Sequence, residues 1–185
     1  ILSLVNIVIP IIIGPYIVRL LDVNLYGTYN RVLSEFQIFL AFASFGVYNY
    51  GVREISRIRN DKKATSKLFS NLFLISLFSN ILVLIIYLFY VIFSSSGIAT
   101  SLYMIMIIQI VANVFYVEFV NEALENYKFI TIKSVIVKII YFIALLLFVR
   151  KPDDVILYAV IVCLTILLNN IISFIEKIGY MGFAE

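Results

Sequence analysis

The side chains of this chain that could do chemistry are few, and most stand in apolar surroundings. Glu35, Glu118 and Lys138 fall inside long apolar runs. An ionised group at the centre of a bilayer costs roughly 2.5–3.5 kcal/mol on insertion scales, so such residues usually face a bundle interior or a water-filled cavity. Glu118 and Glu122 are four residues apart on one helix face, with Asn121 beside them. A plainer reading stands next to each. Glu122 and Glu125 fit a helix end at headgroup level, and Glu35 and Lys138 fit snorkelling as well as a lumen role. Bundle-interior hydrogen bonding accounts for Asn6, Asn113 and Asn169.

Other chemistry has no residues to run on. The chain has no histidine, which removes the commonest general base, proton shuttle and metal ligand, and Cys163 is its only cysteine. No disulfide framework, metal site or cofactor is therefore expected. Asp153 and Asp154 follow Pro152 and read as the start of a helix, where carboxylates satisfy free amides and the helix dipole. With no phosphate-binding lysine loop either, the chain is not expected to be an enzyme.

The elements that position these residues follow from composition. Of 185 residues, 63% are hydrophobic and 14% charged, against ~45–50% and ~25% in a soluble domain. Mean hydropathy is +1.08. Folding leaves roughly 30% of the surface of a chain this size exposed, so the solvent must be lipid. Apolar runs near 1–18, 32–50, 68–93, 102–122, 134–149 and 155–175 predict an all-α polytopic membrane protein with about six transmembrane helices and no soluble domain. The fifth run extends backward through Ile130 and Ile132, with Lys133 snorkelling to the headgroups. Asp22 to Tyr29, Ser94 to Thr100 and Lys151 to Asp154 read as breakers. Beginning inside an apolar run with no initiator methionine, the chain reads as a segment of a longer protein.

Loop charge predicts orientation. Arg53, Arg57, Arg59, Lys62, Lys63, Lys67, Lys128 and Lys133 follow the second and fourth runs, against Arg19, Arg31, Arg150 and Lys151 on the other side. The second and fourth loops, and both ends, are expected in the cytoplasm. The first run holds Pro10, Gly14 and Pro15. Proline removes a helical hydrogen bond, so a kink is expected there, as in a helix beside a polar cavity or in a purely structural span.

Two stretches go beyond general membrane physics. Val8 to Val32 (VIPIIIGPYIVRLLDVNLYGTYNRV) and Phe45 to Lys63 (FGVYNYGVREISRIRNDKK) resemble the amino-terminal part of bacterial flippases for O-antigen and capsule repeat units. The likeness continues through Glu125-Asn126-Tyr127-Lys128, Ile132-Lys133, Lys138, Asp153-Asp154 and Tyr158. Asp22 departs from it, standing where that family usually has glycine. These flippases belong with the multidrug, oligosaccharidyl-lipid and polysaccharide exporters.

The resemblance implies one six-helix lobe of a two-lobe fold whose carboxy-terminal lobe completes a central cavity. The implied activity is transport of undecaprenyl-pyrophosphate-linked oligosaccharide across the bacterial cytoplasmic membrane, with polysaccharide polymerase machinery as a possible partner and no nucleic acid. Arg53, Arg19, Arg31 and Lys138 become candidates for binding substrate, since arginine keeps its charge and grips phosphate at two points. Glu35 and Glu118 become candidates for ion coupling. A drug or metabolite antiporter or a peptidoglycan-precursor flippase of the same fold would fit too. A membrane-embedded glycosyltransferase or polymerase would need a long catalytic loop.

Overall fold

The computed structural model describes the backbone of residues 2–44, 46–94 and 97–181, and the side chains of 11–44, 46–93 and 97–179. Within them the regular elements are helices: α1 (Leu2–Leu20), α2 (Val23–Ser44), α3 (Val47–Ile58), α4 (Lys62–Ser94), α5 (Ile98–Val114), α6 (Glu118–Ala123), α7 (Tyr127–Phe148) and α8 (Val155–Met181). Lys62–Phe93, Ile98–Ala123, Tyr127–Phe148 and Val155–Gly179 are each long and apolar enough to cross a membrane. Their outer faces are apolar too: Phe78 is 70% exposed and Phe93 83%. Water would penalise such a surface and lipid does not. The chain is an all-α polytopic membrane protein.

The second apolar run is organised differently from the sequence expectation. The stretch expected as a breaker, Asp22 to Tyr29, is helical from Val23 onward. The cause is local satisfaction of polar groups. Asp22 Oδ1 accepts from the backbone N–H groups of Asn24 (2.9 Å) and Leu25 (3.0 Å), capping the helix start. Thr28 Oγ1 and Ser34 Oγ donate back to the carbonyls of Asn24 and Asn30. Arg31, expected at the head of this helix, consequently lies two turns inside it.

The same run breaks at Gly46, whose φ of 69° suits glycine. Beyond it, the charged stretch expected as a loop forms α3. Val47, Gly51 and Ile55 face inward at helical spacing, while Arg53, Ser56 and Arg57 face out. Gly51 is required by packing, because a Cβ there would lie 2.8 Å from Cε2 of Phe119 and closer still to Cδ2. α1 continues as one helix through Pro10, Gly14 and Pro15. The side chains of Asn6 and Pro10 lie outside the described residues.

Two buried clusters hold the bundle. The larger joins α1, α2, α4, α5, α7 and α8, with Phe36, Tyr87 and Tyr103 at its centre. Tyr87 packs edge-on against Phe36 at 5.5 Å, and its hydroxyl donates to the Tyr103 carbonyl at 2.8 Å. The smaller cluster ties α3 and α6 to α4 through Val47, Ile55, Phe69, Leu72 and Phe119.

Each cluster leads to one end of the bundle. At one end Asp22 N–H donates to the Pro152 carbonyl (3.0 Å) and the Tyr16 hydroxyl to that of Val149 (3.0 Å). At the other, Arg59 pairs with Glu125, and the Tyr48 hydroxyl donates to Glu122. That second end also holds the start of α4 with Lys62, Lys63 and Lys67.

Candidate functional site

The candidate functional site is a polar stripe along α2, a helix that packs against α4, α5 and α8. Asn24, Gly27, Arg31, Ser34, Gln37, Ala41 and Ser44 recur every three or four residues, and all are exposed. Such spacing puts them on one face. Arg31 lies eight residues from the start of α2, a rise of about 12 Å. α2 is not among the four helices apolar enough by themselves to cross a membrane, and an exposed guanidinium on it calls for water or an anion beside it, because hydrocarbon solvates charge poorly.

One turn further, Glu35 points to the bundle side of the same helix. Its Oε2 accepts from the Tyr90 hydroxyl of α4 at 2.7 Å and from the Tyr103 hydroxyl of α5. Tyr90 and Tyr103 stand edge to face at 5.9 Å, which fixes both hydroxyls around the carboxylate. Charge-assisted hydrogen bonds of this kind contribute about 1.5–3 kcal/mol each. The stripe thus shows an accessible cation on its outer side and a braced carboxylate behind it.

The other carboxylate is held elsewhere. Glu118 opens α6, and its Oε2 accepts from Lys133 Nζ (2.7 Å) and Ser173 Oγ (2.8 Å). Lys133 also donates to Ser173 Oγ at 2.6 Å. Lys133 is 4% exposed, so the expectation that it snorkels to the headgroups is corrected: its ammonium crosslinks α7 to α6 and α8. The physical reason is that Glu118 and Ser173 satisfy the charge inside the bundle, leaving no drive toward water. Nearby, buried Lys177 lies 2.8 Å from Glu176 Oε2. Asn121, fully buried in α6, has no hydrogen-bond partner for its side-chain oxygen or nitrogen among the described residues, a local cost of about 1–3 kcal/mol.

The remaining sequence candidates are spread over the bundle. Arg53 is exposed on α3, bonded through Nε to Glu54 Oε1 at 2.9 Å, with its guanidinium 5.9 Å from the Tyr50 ring centroid. Arg19 is exposed in the last turn of α1, beside a shallow groove of about 430 Å³ formed with Ile12, Pro15 and Tyr16. Lys138 is half-buried on α7, beyond Lys133. Arg31 and Glu35 share the stripe's helix, whereas Arg53 and Arg19 mark opposite ends.

Asp154 acts as a turn cap. Its Oδ2 accepts from the backbone N–H of Arg150 (2.9 Å) and Lys151 (2.8 Å), which holds its carboxyl below the usual aspartate value. Asn113 Nδ2 donates to Asn80 Oδ1 at 3.0 Å, and Asn169 to Asn170 at 3.4 Å, the interior bonding expected of both.

Sequence reasoning did not single out Tyr90, Tyr103 or Ser173. Tyrosine and serine are ordinary in apolar runs, and no spacing announces a partner two helices away. Lys133 did carry a signal, being a lone ammonium inside an apolar run.

A family model described as a polysaccharide biosynthesis protein matches residues 1–178. No curated protein and no solved structure matches the chain. With nearly the whole chain covered by that family model, the chain belongs to the polysaccharide biosynthesis protein family.

Proposed function

We propose that the chain is part of a transporter, not an enzyme, that moves undecaprenyl-pyrophosphate-linked oligosaccharide from the inner to the outer leaflet of the bacterial cytoplasmic membrane. The observation that carries this reading is Arg31, an exposed guanidinium two turns inside α2 on a stripe of small and polar side chains. Neither a pyrophosphate nor a sugar chain crosses hydrocarbon unaided. A wet polar stripe supplies hydrogen bonds to the sugars, and Arg31 supplies a two-point contact for the phosphates while the lipid tail stays in the bilayer. Any further lobe would close over this face.

The antiporter reading of the same fold asks for an available carboxylate. Both candidates have donors from this chain: Glu35 bonds Tyr90 and Tyr103, and Glu118 bonds Lys133 and Ser173. That favours the anionic substrate. Glu35, closer to the stripe than Glu118, is the better ion-coupling candidate of the two.

The test is to complement a strain lacking the full-length protein with Arg31→Ala and Arg31→Lys, and to measure surface polysaccharide at matched membrane abundance. Losing a charge-assisted contact of about 1.5–3 kcal/mol weakens binding roughly 10-fold to 150-fold. Arg31→Ala is expected to lose most polysaccharide and Arg31→Lys to recover part of it. Full activity from both variants would sink the assignment.

A further inference from the structure

One face of α4 changes chemistry along its length in the order that a phospholipid does. Lys63, Lys67, Asn71, Ile75, Phe78 and Leu82 recur every three or four residues, and all are exposed. Two cations come first, an amide follows, and the last three side chains are hydrocarbon. Thr65, Ser66, Phe69 and Leu72, on the other side of the helix, are buried.

α3 supplies a second wall. Val47 and Ile55 pack into the bundle, while Tyr50 and Arg53 turn outward, the guanidinium 5.9 Å from the ring centroid. Gly46, Tyr50, Leu68 and Asn71 border a space of about 470 Å³ between the two helices. Ile75 carries it into a space of about 480 Å³ beside Phe42, Phe78 and Leu82.

Charge selects what fits here. Arg53 and Arg57 share the single carboxylate of Glu54, and Arg59 pairs with Glu125. Lys63 and Lys67 have no carboxylate partner among the described residues. The head of the cleft is therefore net positive. An acidic headgroup neutralises it, whereas a zwitterionic lipid brings an ammonium of its own. Each cation near a bilayer surface favours an acidic lipid by roughly 5-fold. Length agrees with a phospholipid tail. From Asn71 to Leu82 the face rises about 17 Å, close to the depth of about 15 Å that one leaflet offers.

We propose that the cleft between α3 and α4 binds an acidic phospholipid, with its phosphate at Lys63 and Lys67 and an acyl chain along Ile75, Phe78 and Leu82. The bound lipid ties α3 to α4 across the turn at Gly46. This site is separate from Arg31, and it stands or falls independently of the transport function.

The experiment uses the full-length protein in vesicles of phosphatidylglycerol and phosphatidylethanolamine with identical acyl chains, and with undecaprenyl phosphate as a minor component. The photoreactive residue p-benzoylphenylalanine replaces Ile75 in the cleft or Ile140 on α7 as a control. Both side chains are exposed, and both lie thirteen residues past the first residue of their helix. Adducts are identified by mass. The ratio of phosphatidylglycerol to phosphatidylethanolamine adducts is expected to be roughly 5-fold to 25-fold higher at position 75 than at position 140, the effect of one to two unpaired cations. Lys63→Gln with Lys67→Gln is expected to bring position 75 down to the control ratio. Arg150→Gln with Lys151→Gln, exposed at the opposite end, is expected to leave it unchanged.

Equal ratios at positions 75 and 140 would overturn the proposal, as would adducts at position 75 only to protein or enriched in undecaprenyl phosphate over phosphatidylglycerol. An enrichment that survives loss of both lysines, or that falls equally in the Arg150 and Lys151 variant, would overturn it too.

Discussion

Lys133 and Glu118 make the sharpest test of how this bundle is held together. Removing one member of a buried pair costs about 3–5 kcal/mol, because the other charge stays buried without its partner. The two ends of the pair are not equivalent. The Glu118 side chain retains 14% exposure and keeps the Ser173 hydroxyl as a donor, so Lys133→Met should cost near the lower figure. The Lys133 side chain is 2% exposed, so Glu118→Gln, which leaves the buried ammonium with only neutral partners such as Ser173, should cost near the upper one.

For a chain of this size each kcal/mol shifts the unfolding midpoint by roughly 2–4 °C, giving losses of roughly 6–12 °C and 10–20 °C. Replacing both residues with methionine removes both charges, and an apolar pair of similar volume is close to neutral. The double variant should therefore be more stable than either single one. Unfolding of the full-length protein in detergent can be followed with a thiol dye that reacts when buried Cys163 becomes accessible. A double variant that simply adds the two single losses would refute an ion pair at this site, and so would single variants within a degree of the parent.

Three further outcomes follow from particular contacts. Gly51→Ala drives a methyl group into the Phe119 ring and should destabilise by about 1–3 kcal/mol, with Phe119→Leu in the same chain recovering most of the loss in the same dye assay. Asp154 has a carboxyl held below its ordinary value of 3.8 by the Arg150 and Lys151 amides, so its contribution is present above that value and lost as the pH falls through the lower folded value. The protection of those two amides, measured as exchange relative to the intrinsic rate at each pH, should fall on acidification, and Asp154→Asn should remove that change in protection. Lys62→Cys should react with an impermeant thiol reagent only from the cytoplasm and Gly97→Cys only from outside. The opposite pattern would reverse the orientation proposed from loop charge.

Composition by itself decided the solvent. An average over 185 residues is insensitive to where any one side chain points, and an excess of apolar residues this large has only a lipid solution. Helicity followed, since a spanning backbone must satisfy its own amides. The stretch from Phe45 to Lys63 was likewise legible as a family resemblance. Its reasons were not: Gly46 turns the chain with a positive φ, Gly51 lies under Phe119, Ile55 is buried and Arg53 is exposed.

Tertiary structure decided which charges are available. Hydropathy put Arg31 at a helix end because polar residues precede it, whereas Asp22 and two hydroxyls satisfy those turns locally and carry the helix past it. It put Lys133 at the headgroups because a lone ammonium prefers water, whereas Glu118 and Ser173 reach it from two other helices. Glu35 is braced by tyrosines 55 and 68 residues away along the chain. Periodicity records which face of one helix is apolar. It carries no term for the neighbour that meets that face, and that neighbour separates a buried structural charge from one free to meet a substrate.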